Sequence, residues 1–269
     1  MSNTITSVNP FEATLQSLGR AFTVRDIATY DLITCREDDS IDKVLKIPDY
    51  EGLDYIPVKN QLGTIIGILE RPNMELAPTS AGSKMRHLDD EILASADTSL
   101  IPALERLVNT GYLLILDQCR VSGIVTKADI QKMPVVLLAF TFLVHIESLM
   151  ANAITSRCKN EQEWIELLSK KNQHQLKLNY DRQVGLGFDL PRIVLTGFLQ
   201  KMILLIKLYK LPIEDSIELD ELKELRNQVA HSRFTIQNDE DVRLLVKRIN
   251  LSKKWIDFIP VMINKGLSS

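Results

Sequence analysis

The sequence predicts an α/β region built from two similar repeats, followed by an all-α helical bundle. Up to residue 133, short apolar runs of strand length alternate with short helical patterns, and the same order returns after roughly 60 residues. Beyond residue 134 the strand patterns stop, and apolar residues recur at three- and four-residue spacing. The chain has 269 residues, more than a single hydrophobic core usually holds. We therefore predict two domains, residues 1–133 and 134–269.

The first repeat is predicted to contain a helix followed by two strands. The helix runs to residue 45 and is capped by Asp39 or Ser40. Residues 55–59 and 64–69 have the apolar, β-branched composition of strands, and a turn sequence containing asparagine and glycine separates them.

The second repeat follows the same plan. A helix over residues 97–107 precedes strands over 112–117 and 121–125, and the last strand leads directly into residues 126–129. Strands that alternate with helices indicate an α/β layer in each repeat.

The second half is predicted to contain five helices. The third of them is apolar nearly all round, so we expect it to be central in the bundle, with Asp189 as its cap and a loop over residues 181–188 before it. Acidic residues favour the start of the fifth helix. The five predicted helices span residues 134–157, 161–178, 189–210, 219–232 and the region after 238.

Composition is typical of a globular protein. Hydrophobic residues make up 45% of the chain and charged residues 25%, which excludes global disorder. A net charge of −3 argues against a protein that coats polyanions. The three cysteines lie far apart and are read as reduced thiols, and the N-terminus lacks the pattern of a secretory signal. The uncharged stretch 133–146 is shorter than a membrane span, so a buried bundle helix and a soluble cytoplasmic protein are expected.

The repeats resemble cystathionine-β-synthase (CBS) domains, which occur as tandem pairs. The first repeat contains Tyr55-Ile-Pro-Val and Gly67-Ile-Leu, and the second contains Gly123-Ile-Val-Thr-Lys-Ala-Asp-Ile. The second string fits the ribose-binding pattern of that family, in which a hydroxyl residue precedes an aspartate by three positions. The resemblance covers residues 23–73 and 86–133, nearly the whole first half of the chain.

The resemblance implies that an adenine nucleotide (AMP, ADP or ATP) binds as a regulatory ligand. Thr126 and Asp129 would hold the ribose, Ile124 would pack against the adenine, and Leu53 with Asp54 would complete the pocket. The alternative is that Asp129 only caps the following helix while Thr126 fills a turn.

The first repeat departs from the pattern. Glu70 stands where the hydroxyl is expected, and Asn73 stands where the carboxylate is expected. Because a carboxylate repels phosphate, we predict one nucleotide site rather than two.

The helical half contains the string Arg226-Asn227 followed four residues later by His231. It resembles the signature of HEPN domains, whose nuclease members combine this motif from two protomers. By that resemblance, which covers residues 134–269, Arg226, Asn227 and His231 would form a composite catalytic site in a homodimer that cleaves RNA.

Helix geometry and chemistry are compatible with that function. Leu219, Leu222, Leu225 and Val229 fall on one stripe that must face the core, whereas Asn227 and His231 share a polar face beside a half-buried Arg226. Imidazole can act as acid or base near neutral pH, and guanidinium can bind phosphate oxygens. No carboxylate cluster accompanies the motif, so a catalytic metal is not expected.

Two functions remain open at this point. The first is a nucleotide-regulated, metal-independent endoribonuclease, with a toxin or defence role and an antitoxin or regulatory protein as a candidate partner. The second is a non-catalytic nucleotide-sensing protein whose bundle dimerises and binds a partner. In that case Arg226 would pair with a carboxylate from another helix, and His231 would only end its own helix.

Overall fold

The structure is a computed structural model that describes residues 22–71, 78–231, 234 and 236–266. The described residues form two compact units. The first contains the residues up to Val135 together with Ile236–Arg243, and the second contains the residues from Val136 together with those from Leu244 onward.

The first unit contains two small sheets, of four and three strands, whose first three strands have the same order. In the first sheet β1 is parallel to β2, and β3 and β4 continue antiparallel; in the second sheet β5 is parallel to β6, and β7 is antiparallel to β6. The strands are β1 Cys35–Arg36, β2 Tyr55–Lys59, β3 Ile65–Glu70, β4 Arg86–His87, β5 Leu93–Ser95, β6 Tyr112–Asp117 and β7 Arg120–Thr126.

Short helices accompany the two sheets. The α-helices are α1 Ile41–Val44, α2 Ala81–Lys84 and α3 Leu100–Thr110, and the 3-10 turns are Val24–Asp26, Pro48–Tyr50 and Lys127–Gln131. The predicted helix–strand–strand order of each repeat is therefore present. The caps of α1 and α3 are Ser40 and Ser99.

Strand register relates the two repeats residue by residue. Tyr55 pairs with Glu70 at one end of the β2–β3 hairpin, and Tyr112 pairs with Thr126 at the same end of the β6–β7 hairpin. Glu70 therefore occupies in the first repeat the position that Thr126 occupies in the second. Residues of both repeats share one apolar cluster, which contains Ile68, Ile92, Tyr112, Leu114 and Ile124.

The second unit is helical. Its helices are α4 Met133–Arg157, which begins in the first unit, α5 Glu161–Glu166, α6 Lys170–Gly185, α7 Phe198–Tyr209, α8 Ile213–Ala230 and α9 Asp239–Gly266, with a 3-10 turn at Arg192–Leu195. Both tryptophans, Trp164 and Trp255, are buried. His145 is also buried.

Several helix boundaries differ from the prediction; among them, α8 begins at Ile213 rather than at residue 219. The helix predicted over 161–178 is two helices, because the chain turns after Glu166 and Ser169 caps α6 through a hydrogen bond from the Asn172 amide. The loop predicted over 181–188 is largely the last part of α6, which reaches Gly185.

The third predicted helix begins later than expected. Asp189 does not cap it; its carboxylate accepts a hydrogen bond from the Tyr180 hydroxyl, and α7 begins only after Gly197. The apolar side chains of this helix are not all buried, since Leu199 is 43% exposed.

Among the described residues, one helix is long and apolar enough to cross a membrane. It is α4, with 25 residues and a mean hydropathy of 1.9 in its most apolar window, of which 50% is buried. It is longer than the uncharged stretch 133–146. The core helix of a globular protein meets the same criteria, so the observation is weak evidence for a membrane span.

Candidate functional site

Asp129 lies in the turn that follows β7. Its Oδ2 accepts hydrogen bonds from the Thr126 amide at 2.6 Å and from the Thr126 hydroxyl at 3.1 Å. Its Oδ1 lies 2.7 Å from Nζ of Lys132. The Asp129 residue is only 8% exposed. The pair predicted to bind ribose is thus held in a fixed geometry by the turn itself.

The same bonding pattern occurs elsewhere in the first unit. The Asp26 carboxylate accepts from the Thr23 amide at 2.7 Å and from the Thr23 hydroxyl at 3.2 Å, at the start of the Val24–Asp26 turn. The pattern is a reciprocal cap, which satisfies backbone donors at the start of a turn. Thr126 and Asp129 therefore do cap their turn, as the alternative interpretation predicted. Asp129 and Asp26 differ in their surroundings.

Asp129 lines a cavity of about 590 Å³, a volume in the range of small-molecule sites. All five residues that the sequence assigns to the nucleotide line this cavity, although they come from both repeats. They are Leu53, Asp54, Ile124, Thr126 and Asp129. Ile124 is buried and offers an apolar surface, whereas Asp54 is exposed.

Gly111 and Tyr55 also line the cavity. Gly111 ends α3 with a φ of +82°, a left-handed conformation that favours glycine. A Cβ atom at this position would lie 2.6 Å from the Tyr55 hydroxyl oxygen. The Tyr55 ring packs on the Tyr112 ring, with their centroids 4.4 Å apart.

In the first repeat, the residue equivalent to Thr126 is Glu70, and its carboxylate already has partners within the protein. The Glu70 carboxylate accepts a hydrogen bond of 2.7 Å from the Tyr112 hydroxyl and lies 3.8 Å from the Arg86 guanidinium. Burial, and then the hydrogen bond to Glu70, raises the pKa of Tyr112. Asn73, predicted at the carboxylate position, lies outside the described residues.

One wall of the cavity comes from a distant part of the sequence. Ile236, Gln237, Asn238, Asp239 and Val242 line it, at the start of α9.

Lys127, in the turn after Thr126, forms an ion pair of 2.8 Å with Asp239 in this wall. The hydrogen bond from Lys127 lowers the pKa of the Asp239 carboxyl, which is therefore charged at neutral pH. Sequence reasoning identified the acidic residues after Asn238 only as a helix start. No local pattern indicates their long-range contact with Lys127.

The Arg226-Asn227-His231 motif lies at the end of α8. The predicted stripe of Leu219, Leu222, Leu225 and Val229 is buried. Arg226 and His231 are exposed, and Asn227 is half-buried. Arg226 was expected to be half-buried, but it is exposed. His231 follows the last helical residue, and its amide donates to the Asn227 carbonyl at 3.2 Å.

In this region the arginine that pairs with a carboxylate is Arg248, not Arg226. Arg248 of α9 is 8% exposed, lies 2.8 Å from the Glu221 carboxylate and donates to the Gln228 amide oxygen. Within the part of the chain that the structure describes, no ion pair of Arg226 is found. Its guanidinium is therefore accessible to an external anion.

No group of three or more histidine, cysteine, aspartate or glutamate side chains is arranged to hold a metal ion among the residues described. The three cysteines are free thiols, and burial raises the pKa of Cys35 to about 11.

Comparison with known proteins identifies the first repeat. The CBS domain family matches residues 24–72. The first repeat is therefore a CBS domain, and the second repeat has the same strand order and register.

Among curated proteins, the chain is similar to a homoserine O-acetyltransferase of Methanococcoides burtonii. The two are 29% identical over 115 residues, which cover 41% of this chain and 24% of that protein. The matched region thus spans about a quarter of the length of that curated relative.

Several solved structures are also similar. The CBS domains of a Streptococcus pneumoniae transcriptional regulator are 17% identical (40% of this chain, 96% of that chain, TM-score 0.35). CBSX2 in complex with AMP is 19% identical (40% and 92%, TM-score 0.36). The CBS domain of a bacterial CNNM/CorC family Mg²⁺ transporter in complex with ATP is 14% identical (44% and 90%, TM-score 0.37).

Proposed function

We propose that the first unit is a sensor that binds one adenine nucleotide in the cavity beside Thr126 and Asp129. The observation that carries the proposal is that the five residues assigned to the ligand from sequence line one cavity of ligand size. Residues scattered over both repeats would not meet in this way if each served only its own turn.

The cavity offers groups for the adenine and the ribose of the ligand. The buried Ile124 packs against the adenine, together with Leu53. Asp129 accepts from the ribose hydroxyls, because a carboxylate has about four lone-pair sites and the turn uses two of them on Oδ2. Lys132, whose side chain is 40% exposed, can yield its place on Oδ1 to a ribose hydroxyl.

A single site per chain follows from the difference between the repeats. In the first repeat Glu70 takes the position of Thr126, and its carboxylate is bonded to Tyr112 and lies near Arg86. A nucleotide there would have to break this half-buried network and bring its phosphate close to a carboxylate, which is unfavourable.

For the helical unit we propose a metal-independent endoribonuclease that acts as a homodimer. The exposed Arg226 and His231, with Asn227 between them in the sequence, are the catalytic residues from each protomer. The dimer is supported by an apolar stripe on α4, in which Leu137, Phe140 and Val144 are exposed at helical spacing.

The chemistry needs both copies of the motif. One His231 takes the proton of the RNA 2′-hydroxyl as its oxygen bonds to phosphorus, and the second His231 gives a proton to the leaving 5′-oxygen, which leaves a 2′,3′-cyclic phosphate. Arg226 stabilises the charge on the phosphorane, and Asn227 orients the imidazole or the phosphate.

Regulation would act through α9. This helix begins with residues that line the nucleotide cavity and continues into the helical unit. A nucleotide that binds the two states of the helix with different affinity shifts their populations.

Incubation of the purified protein with RNA in EDTA, with and without AMP and ATP, tests the enzyme. We expect cleavage by the wild type and loss of cleavage in Arg226→Ala and His231→Ala. Arg182→Ala and His174→Ala are matched controls, because both residues are exposed and lie on α6.

Absence of cleavage by the wild-type dimer would favour the second candidate function. In that case the chain is a nucleotide-sensing interaction protein, and the exposed stripe on α4 serves dimerisation or the binding of an antitoxin or regulatory protein. Cleavage that survives in His231→Ala would overturn the catalytic assignment.

A further inference from the structure

The charged residues of the nucleotide cavity have an unusual balance for a site that receives phosphate. Its described lining contains one lysine, Lys127, and three aspartates, Asp54, Asp129 and Asp239. A cavity of about 590 Å³ is small enough that a bound phosphate lies within roughly one screening length of all four groups. Each of these charges therefore affects the affinity for an anionic ligand.

The cation in this lining is already neutralised. Nζ of Lys127 lies 2.8 Å from Oδ2 of Asp239, and the Lys127 side chain is 24% exposed. Lys132 forms a second ion pair, with Asp129. Asp54 therefore has no opposite charge beside it in the described lining. A phosphate that approaches Lys127 must compete with the Asp239 carboxylate.

The start of α9 does not provide a free anion site in its place. Helix N-termini attract anions through their unpaired amides. Here the amides of Gln237 and Asn238 both donate to the Asp241 carboxylate, and the Asp241 amide donates to the Asn238 side chain. The first turn also carries the acidic Asp239 and Glu240.

We infer that Asp239 is a specificity-determining residue, and that it restricts the cavity to adenosine ligands with one phosphate or none. This inference rests on the proposed nucleotide site. A single phosphate can share Lys127 with the carboxylate, whereas each further phosphate adds repulsion from Asp239 and Asp54 without a further cation in the described lining. The wild-type protein therefore binds adenosine and AMP more tightly than ATP.

Calorimetric titration of the full chain with adenosine, AMP and ATP in EDTA tests this inference. Asp239→Asn frees Lys127 and removes one negative charge, so ATP affinity should rise roughly tenfold while adenosine affinity stays within about twofold. Asn238, the capping residue, is unchanged in this variant, so the helix start is retained.

Glu240→Gln is the matched control. Glu240 lies in the same helical turn and loses the same charge, but it does not line the cavity. It should leave all three affinities near the wild-type values.

The outcomes separate the inference from the site on which it rests. ATP that binds the wild type as tightly as AMP would overturn the inference, and so would equal effects of Asp239→Asn and Glu240→Gln. A wild-type protein that binds none of the three compounds overturns the nucleotide site itself.

Discussion

The hydroxyl oxygen of Tyr55 lies 2.6 Å from the position that a Cβ atom on Gly111 would occupy. The two residues come from different repeats, and both line the cavity beside Thr126 and Asp129. Gly111 also has a φ of +82°, so two independent constraints favour glycine there. The close approach of this backbone lets the Tyr55 ring lie at the cavity wall.

Gly111→Ala should destabilise the first unit by about 1–2 kcal/mol more than Gly63→Ala. Gly63 has a φ of +80° but nothing within 4 Å of its Cβ position, so it reports the backbone strain alone. Adding Tyr55→Phe to Gly111→Ala should restore the extra unfolding free energy of about 1–2 kcal/mol, because the Tyr55 hydroxyl is the atom nearest to the new Cβ. Calorimetric unfolding of the four proteins measures these effects, and equal losses in the two glycine variants would contradict the contact.

Glu147→Gln should destabilise the helical unit by about 3 kcal/mol, because it leaves the buried Lys201 ammonium, which also donates to the Thr196 carbonyl, without an opposite charge. Lys201 is 3% exposed, and its Nζ lies 2.7 Å from the Glu147 carboxylate. The double variant with Lys201→Met should regain most of the lost stability. Both tryptophans, Trp164 and Trp255, belong to this unit, so denaturation followed by intrinsic fluorescence reports it directly. If the double variant loses the sum of the two single-variant stability losses, Glu147 and Lys201 are not coupled energetically.

His145 should make the helical unit less stable in acid. Burial lowers its pKa to about 4 from an ordinary value near 6.5. As the pH falls through 6.5, His145 is therefore protonated in the unfolded chain but stays neutral in the folded chain. The free energy of unfolding is not reduced by this group above about pH 6.5, and it decreases progressively toward pH 4.

The difference in unfolding free energy between the wild type and His145→Gln should change by roughly 2–3 kcal/mol between pH 7 and pH 4.5. Urea denaturation at several pH values measures it. Parallel pH profiles for the two proteins would show that His145 does not titrate in this way.

Features with a local cause could be predicted from the sequence. The leucine stripe of α8 follows from helical spacing alone, and the turn at Thr126–Asp129 follows from a strand that ends in a capping residue. The pairing of the two hairpins gives Glu70 and Thr126 equivalent positions, as their place in the two repeats indicated.

Features with a long-range or competing cause could not be predicted. Residues 161–178 read as one helix because the apolar spacing continues across Ser169, where the side chain caps a new helix instead. Asp189 is a good cap by residue type, but its carboxylate bonds to Tyr180. The contact of Asp239 with Lys127 depends on tertiary structure, so no sequence pattern indicates the cavity wall at the start of α9.

Calorimetric titration of AMP into the wild type, Asp129→Asn and Asp26→Asn tests the central claim most directly. Both aspartates accept the same two hydrogen bonds from a threonine, but the structure places Asp129 in the cavity lining. We predict one site per chain, an affinity at least about tenfold weaker in Asp129→Asn, as for a lost hydrogen bond to a charged group, and an unchanged affinity in Asp26→Asn. Equal AMP binding by all three proteins, or two equal sites per chain, would contradict the account.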